Sequence, residues 1–77
     1  MNIDLADVTL HVDETLDSTA LADLEAALRT FDGVVSVHVN PDRRHLFILE
    51  YNPVKVSSQQ LLDTVKQRGL HAELVGL

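Results

Sequence analysis

A chain of 77 residues makes one small domain, which buries roughly 60 to 65% of the surface its unfolded form exposes. Apolar residues are 45% of it and charged residues 23%, with three Gly and two Pro, a globular composition that excludes collagen-like and low-complexity classes. The absence of cysteine excludes disulfides, thiolate metal sites and cysteine nucleophiles, and the net charge of −6 works against binding a polyanion.

That charge is unevenly placed. Residues 1–32 hold Asp4, Asp7, Asp13, Glu14, Asp17, Asp23, Glu25 and Asp32 against Arg29 alone, whereas residues 33–77 carry a slight positive excess. The basic pair Arg43 and Arg44 is too short to offset the acidic half, so no nucleic acid is expected as a partner. No run of eighteen apolar residues occurs and no basic segment leads into an apolar one, so the expectation is a cytoplasmic protein with no membrane association. The acids have two readings: they keep a small domain soluble, or they face a basic partner.

In chain order, Val8, Leu10 and Val12 alternate with Thr9, His11 and Asp13, which predicts a first strand over residues 5–13 with one buried face. From Ser18 the apolar residues fall at Leu21, Leu24 and Leu28, a helical spacing, with Asp17 or Ser18 as the cap and Asp32-Gly33 as the stop. Val35, Val37 and Val39 predict a second strand that ends at Asn40-Pro41-Asp42, followed by a hairpin turn over residues 40–45. Leu46 to Tyr51 is the third strand, with Phe47, Leu49 and Tyr51 facing inward. Ser57 and Gln60 form a capping box for a second helix with Leu61, Leu62 and Val65 inside and Gly69 at its end. Leu70 to Val75 supplies a last short strand.

The order β-α-β-β-α-β contains a weak repeat, since Asp32-Gly33-Val34 and Arg68-Gly69-Leu70 each close a helix and open a strand. Right-handed crossovers place both helices on one face, so the predicted fold is α+β and ferredoxin-like: a four-stranded antiparallel sheet of order 4-1-3-2, one domain over residues 1–77. The core is expected to include Val12, Leu24, Leu28, Val37, Val39, Leu49, Leu62 and Val65. One end of this domain gathers Asp13, Glu14 and Asp17 with Arg43, Arg44 and His45 and with Arg68 and His71.

Four stretches carry a resemblance: Leu24-Glu25-Ala26-Ala27-Leu28, Phe31-Asp32-Gly33-Val34-Val35-Ser36-Val37-His38-Val39, Leu49-Glu50-Tyr51-Asn52-Pro53 and Gln67-Arg68-Gly69-Leu70. In order and spacing they resemble the I-E-x-x-L, G-V-x-x-V-x-V, V-x-Y-D-P and x-x-G-Y elements of the heavy-metal-associated domain of copper chaperones and metal-transporting ATPases. The resemblance implies a metallochaperone-like fold linked to metal homeostasis. The family's G-M-T-C-x-x-C loop falls on Glu14 to Ala20, so that its two cysteine positions are Asp17 and Ala20. Monovalent copper prefers thiolates; Asp17 offers one hard carboxylate and Ala20 no donor, while Asp17 is also a good helix cap. Met1 is too remote along the chain to replace them. The expectation is a degenerate metal site and no bound cofactor.

An alternative survives in the histidines. His11 and His71 alternate onto the open sheet face where the first and fourth strands meet, so that with Asp13 they would suit a divalent ion. His38 and His45 are expected to be solvated, His45 in the turn. Ser18, Ser57 and Ser58 sit at helix starts and the three glycines form no phosphate loop, so no enzyme is expected. Leu46 and Ile48 project from the open face beside His11, Thr9 and Ser36. They are offered, with Asp13, Glu14 and Asp17, as an interaction surface for a protein partner or as the contact of a weak homodimer through the open sheet. The sequence thus reads as a small accessory or interaction module.

Overall fold

The computed structural model describes residues 4–40 and 42–75, so Met1 and Pro41 lie outside the described residues. Six elements follow in the expected order: β1 (Ala6–Val12), α1 (Ser18–Arg29), β2 (Val34–Asn40), β3 (Arg43–Tyr51), α2 (Ser58–Gln67) and β4 (Ala72–Val75). The strands form one antiparallel sheet of order β2-β3-β1-β4, the predicted ferredoxin-like arrangement read from its other edge.

Period-two alternation decides which side of the sheet is covered. Leu10 and Val12 of β1, Val37 of β2 and Phe47, Leu49 and Tyr51 of β3 turn one way, where they meet Leu24 and Leu28 of α1 and Leu61, Leu62 and Val65 of α2 in a single buried cluster. Val39, expected in the core, packs against it while staying partly exposed, and Val56, just before α2, is buried although no periodic pattern marks it. The other face, with Thr9, His11, Leu46 and Ile48, is covered by no element among the described residues.

Two helix starts are built as the sequence suggests. Asp17 caps α1 through its carboxylate, which accepts the Ala20 N–H at 2.8 Å. At α2 the Ser57 hydroxyl accepts from Gln60 N–H at 3.1 Å, and the Gln60 side chain accepts from Ser57 N–H at 2.8 Å. Such caps satisfy orphan donors and are typically worth about 0.5–2 kcal/mol each.

The end of α1 departs from the expectation. The helix stops at Arg29, where the Thr30 hydroxyl donates to the Ala27 carbonyl at 2.6 Å, so Gly33 is not its terminator. Gly33 (φ +107°) instead turns the chain into β2 while its carbonyl accepts the Asn52 N–H at 2.7 Å. Gly69 (φ +82°) does directly follow the C-cap of α2, as predicted. β3 also begins earlier than expected: Asn40 already pairs with Arg43, so Arg43, Arg44 and His45 are strand residues rather than a loop.

The two glycines should respond differently to a methyl group. A Cβ at Gly33 would lie 2.7 Å from Lys55 Cβ and 3.2 Å from Val56 Cγ1, whereas one at Gly69 would meet open space. Left-handed backbone alone costs a non-glycine residue about 1–2 kcal/mol, and overpacking adds about 1–3 kcal/mol. Gly33→Ala should therefore lower the urea midpoint clearly more than Gly69→Ala; equal losses would mean that the Lys55 side of the turn yields freely.

Candidate functional site

The loop from Asp13 to Asp17 is set by its two ends. Behind it, β1 pairs with β4, and the ladder continues one step beyond the strands because Asp13 N–H donates to the His71 carbonyl at 2.8 Å. Ahead of it, the Asp17 carboxylate is tied to the first turn of α1 through Ala20 N–H. Between them Glu14 crosses to the α2–β4 turn. Its carboxylate accepts the His71 N–H at 2.9 and 3.1 Å, and its Oε2 lies 2.7 Å from His71 Nδ1. A carboxylate has only acceptor sites, so Nδ1 carries the proton and donates. Glu14 is half-buried and His71 is exposed.

This clasp moves both proton affinities. The hydrogen bond from the His71 side chain, supported by its backbone N–H, lowers the Glu14 pKa below its ordinary value. The hydrogen bond to Glu14, followed by the charge of Glu14, raises that of His71. The Asp13 charge adds a smaller push in the same direction on His71.

The remaining candidates divide. His11 stands on the open face between Leu46 of β3 and Glu73 of β4, with its Nδ1 screened from water and 3.1 Å from Asp13 Oδ1. That contact is too bent for a hydrogen bond, so His11 Nδ1 has no hydrogen-bond partner among the described residues. His45 is not a solvated turn residue: as part of β3 it is half-buried, donates through Nδ1 to the Val12 carbonyl at 2.8 Å and stacks on His11 with ring centroids 6.0 Å apart. His38 is exposed on β2. Asp13 and His71 do meet through the backbone, but the His71 ring turns to Glu14 rather than toward His11. Among the described residues no set of three or more His, Asp or Glu side chains is arranged to hold a metal ion.

Arg43, Arg44 and Arg68 reach the same end of the fold, yet among the described residues none of them forms an ion pair with its carboxylates. On the open face Ile48 is flanked by Thr9 and His38, and Ser36, expected beside it, faces Glu50 instead. Nothing in the sequence pattern marks Glu14 as the partner of His71, although the β1–β4 register that brings Asp13 to His71 places Glu14 one residue further on. His45 had no comparable signal.

The domain superposes on solved metal-handling domains over nearly its whole length. Oxidized MerP from Ralstonia metallidurans matches with a TM-score of 0.82 and 20% identity over 95% of this chain and 100% of that one. The N-terminal domain of a potential copper-translocating P-type ATPase from Bacillus subtilis, solved in its Cu(I)-loaded state, matches with a TM-score of 0.83 and 22% identity over 95% and 90%. The CopZ metallochaperone gives 0.75 and 26% over 91% and 100%. The fold is that of the heavy-metal-associated domain. No protein-family model matches the sequence, and no curated protein does. The two loop positions that resemble the family's cysteines, Asp17 and Ala20, are joined here by the capping bond, which leaves no donor set fit for a soft metal. No helix among the described residues is long and apolar enough to cross a membrane.

The pH dependence of the clasp follows from the two shifts. Glu14, lowered in the folded state, contributes stability above its ordinary 4.5 and loses it as pH falls through the lower folded value. His71, raised in the folded state, contributes below its ordinary 6.5 and loses it as pH rises through the higher folded value. Both contributions coexist between those two ordinary values. The stability gap between the wild type and Glu14→Gln, read from urea midpoints, should be larger near pH 5.5 than near pH 9. A gap that stays constant with pH would mean that the ring bond to His71 adds nothing beyond the backbone one.

Proposed function

We propose that this protein is a heavy-metal-associated domain whose metal loop has become a closed, hydrogen-bonded surface, and that it works as a cytoplasmic interaction or accessory module linked to metal homeostasis, without catalytic activity. The observation that carries the reading is the engagement of the loop itself: Asp17 serves the helix, Glu14 serves His71, and Ala20 has no donor. A cuprous ion would have to displace a cap and a clasp to reach two hard oxygens. The surface then offered to a protein partner is the acidic loop, where Asp13 and Asp17 stay exposed while both oxygens of Glu14 are held by His71, together with Leu46 and Ile48 on the open sheet face. A basic partner would be steered to it at low salt.

A second reading rests on the rings. The Nδ1 of His71 is turned to a carboxylate, which leaves its Nε2 available in the orientation in which carboxylate-supported histidines bind divalent metals, and His11 Nδ1 lies beside Asp13 without bonding it. To hold zinc or cupric copper together with Asp13, the His71 ring would have to leave Glu14 and turn toward His11.

One titration separates the readings. Cuprous copper, competed with a thiol chelator of moderate affinity, should be released completely by the unmodified domain, and Asp17→Cys/Ala20→Cys should retain it, since the loop already stands at a helix start that favours thiolates. Retention by the unmodified domain would overturn the proposal, and a metal-free double-cysteine variant would undercut the placement of the family's loop on Glu14 to Ala20. Zinc added to the unmodified domain should leave the amide shifts of His11, Asp13 and His71 in place; saturable shifts at all three would favour the second reading.

A further inference from the structure

Away from the loop, the outer edge of β2 stands unexplained. The sheet ends on β4 at one side and β2 at the other. β4 is four residues long and carries Glu73, so it is short and charged, as protected edges are. β2 is seven residues long, and Val-Val-Ser-Val-His-Val-Asn makes it the one element of the six without Asp, Glu, Lys or Arg. High β-propensity with no charge and no proline is the composition that exposed edges normally avoid.

Among the described residues its guard is a single side chain. Arg29, the last residue of α1, donates from Nη2 to the Val37 carbonyl at 3.1 Å. The contact also fixes which backbone groups face outward. Val37 directs its carbonyl away from β3, and the antiparallel alternation directs its N–H the same way, while Ser36 and His38 bond inward. Register shifts between Val34 and Ser36 and between Val39 and Asn40 leave Ser36–Val39 as the regular run.

We propose that β2 pairs with β2 of a second copy of this chain, antiparallel about a two-fold axis at Val37. In this register Val37 meets its own counterpart and the two exchange N–H···O bonds, and Ser36 lies opposite His38 of the second copy on the open face. Charge selects a second copy as the occupant. On a molecule of net charge −6 every other element would set charged side chains against their own copies, whereas this edge sets none, and an antiparallel pair is self-complementary under a two-fold. Arg29 must release the Val37 carbonyl for the seam to close. So short a seam buries less than a standard interface, and the dimer forms only at high protein concentration.

The test is an NMR dilution series from about 2 mM to about 20 μM, paired with sedimentation equilibrium at moderate salt. Concentration-dependent amide shifts should centre on Ser36–Val39 and on the Arg29 side chain. Val35→Lys, at a position 59% exposed and so harmless to folding, should weaken association about tenfold or more. Arg29→Gln should strengthen it by about two- to tenfold, because a competing hydrogen bond is gone. Net charge alone orders the variants the other way, since the first relieves the negative charge by one and the second increases it by one. The proposal is overturned by shifts independent of concentration in both wild type and Arg29→Gln, by the reversed order of the variants, or by shifts that centre on Leu46 and Ile48, which would move the contact to the open face.

Discussion

A loop that enters a helix from a strand must dispose of free N–H groups and hold its own geometry, and here no thiolate–metal bridge can do so. The Glu14 carboxylate acts in place of such a bridge. It accepts the backbone N–H and the ring N–H of His71 and so ties the β1–α1 loop to the α2–β4 turn, 57 residues away in sequence. The Asp13 N–H bond to the His71 carbonyl, made by the neighbouring residue, gives the same turn a second, opposed contact. The junction holds the acidic loop between the β1–β4 ladder behind it and the α1 cap ahead of it.

The junction offsets part of the repulsion within a strongly acidic end. Asp13, Glu14 and Asp17 repel one another, and the three nearby arginines pair with none of them among the described residues. Two of the three carboxylates are instead held by N–H donors, Glu14 by His71 and Asp17 by Ala20, and for Glu14 these bonds favour the charged form. The scaffold is the one seen in MerP and CopZ, as the superposition shows, while this chain carries no cysteine.

Elements governed by local pattern were legible in the sequence. Alternation placed β1 and the buried side of β3, and the Ser57–Gln60 capping box located α2 to the residue. Features decided by tertiary competition were not. Asp32-Gly33 reads as a helix stop, yet the Thr30 hydroxyl captures the Ala27 carbonyl first and the glycine serves the Asn52 turn. Arg43-Arg44-His45 reads as a polar loop, yet pairing with β2 draws it into the sheet and brings His45 onto the Val12 carbonyl. In the candidate site, the pairing of Asp13 with His71 followed from the strand register, but the direction of the His71 ring did not, because which of two adjacent acids it meets depends on how the loop turns after Asp13.

The central claim is that Glu14 closes the loop onto His71, and hydrogen exchange at the His71 amide measures it most directly. In the metal-free protein that amide should exchange far more slowly than an exposed turn amide, and Glu14→Ala should return it toward the unprotected rate while the amide of Leu49, deep in β3, keeps its protection. Fast exchange at His71 in the unmodified protein, or protection unchanged by Glu14→Ala, would contradict the account.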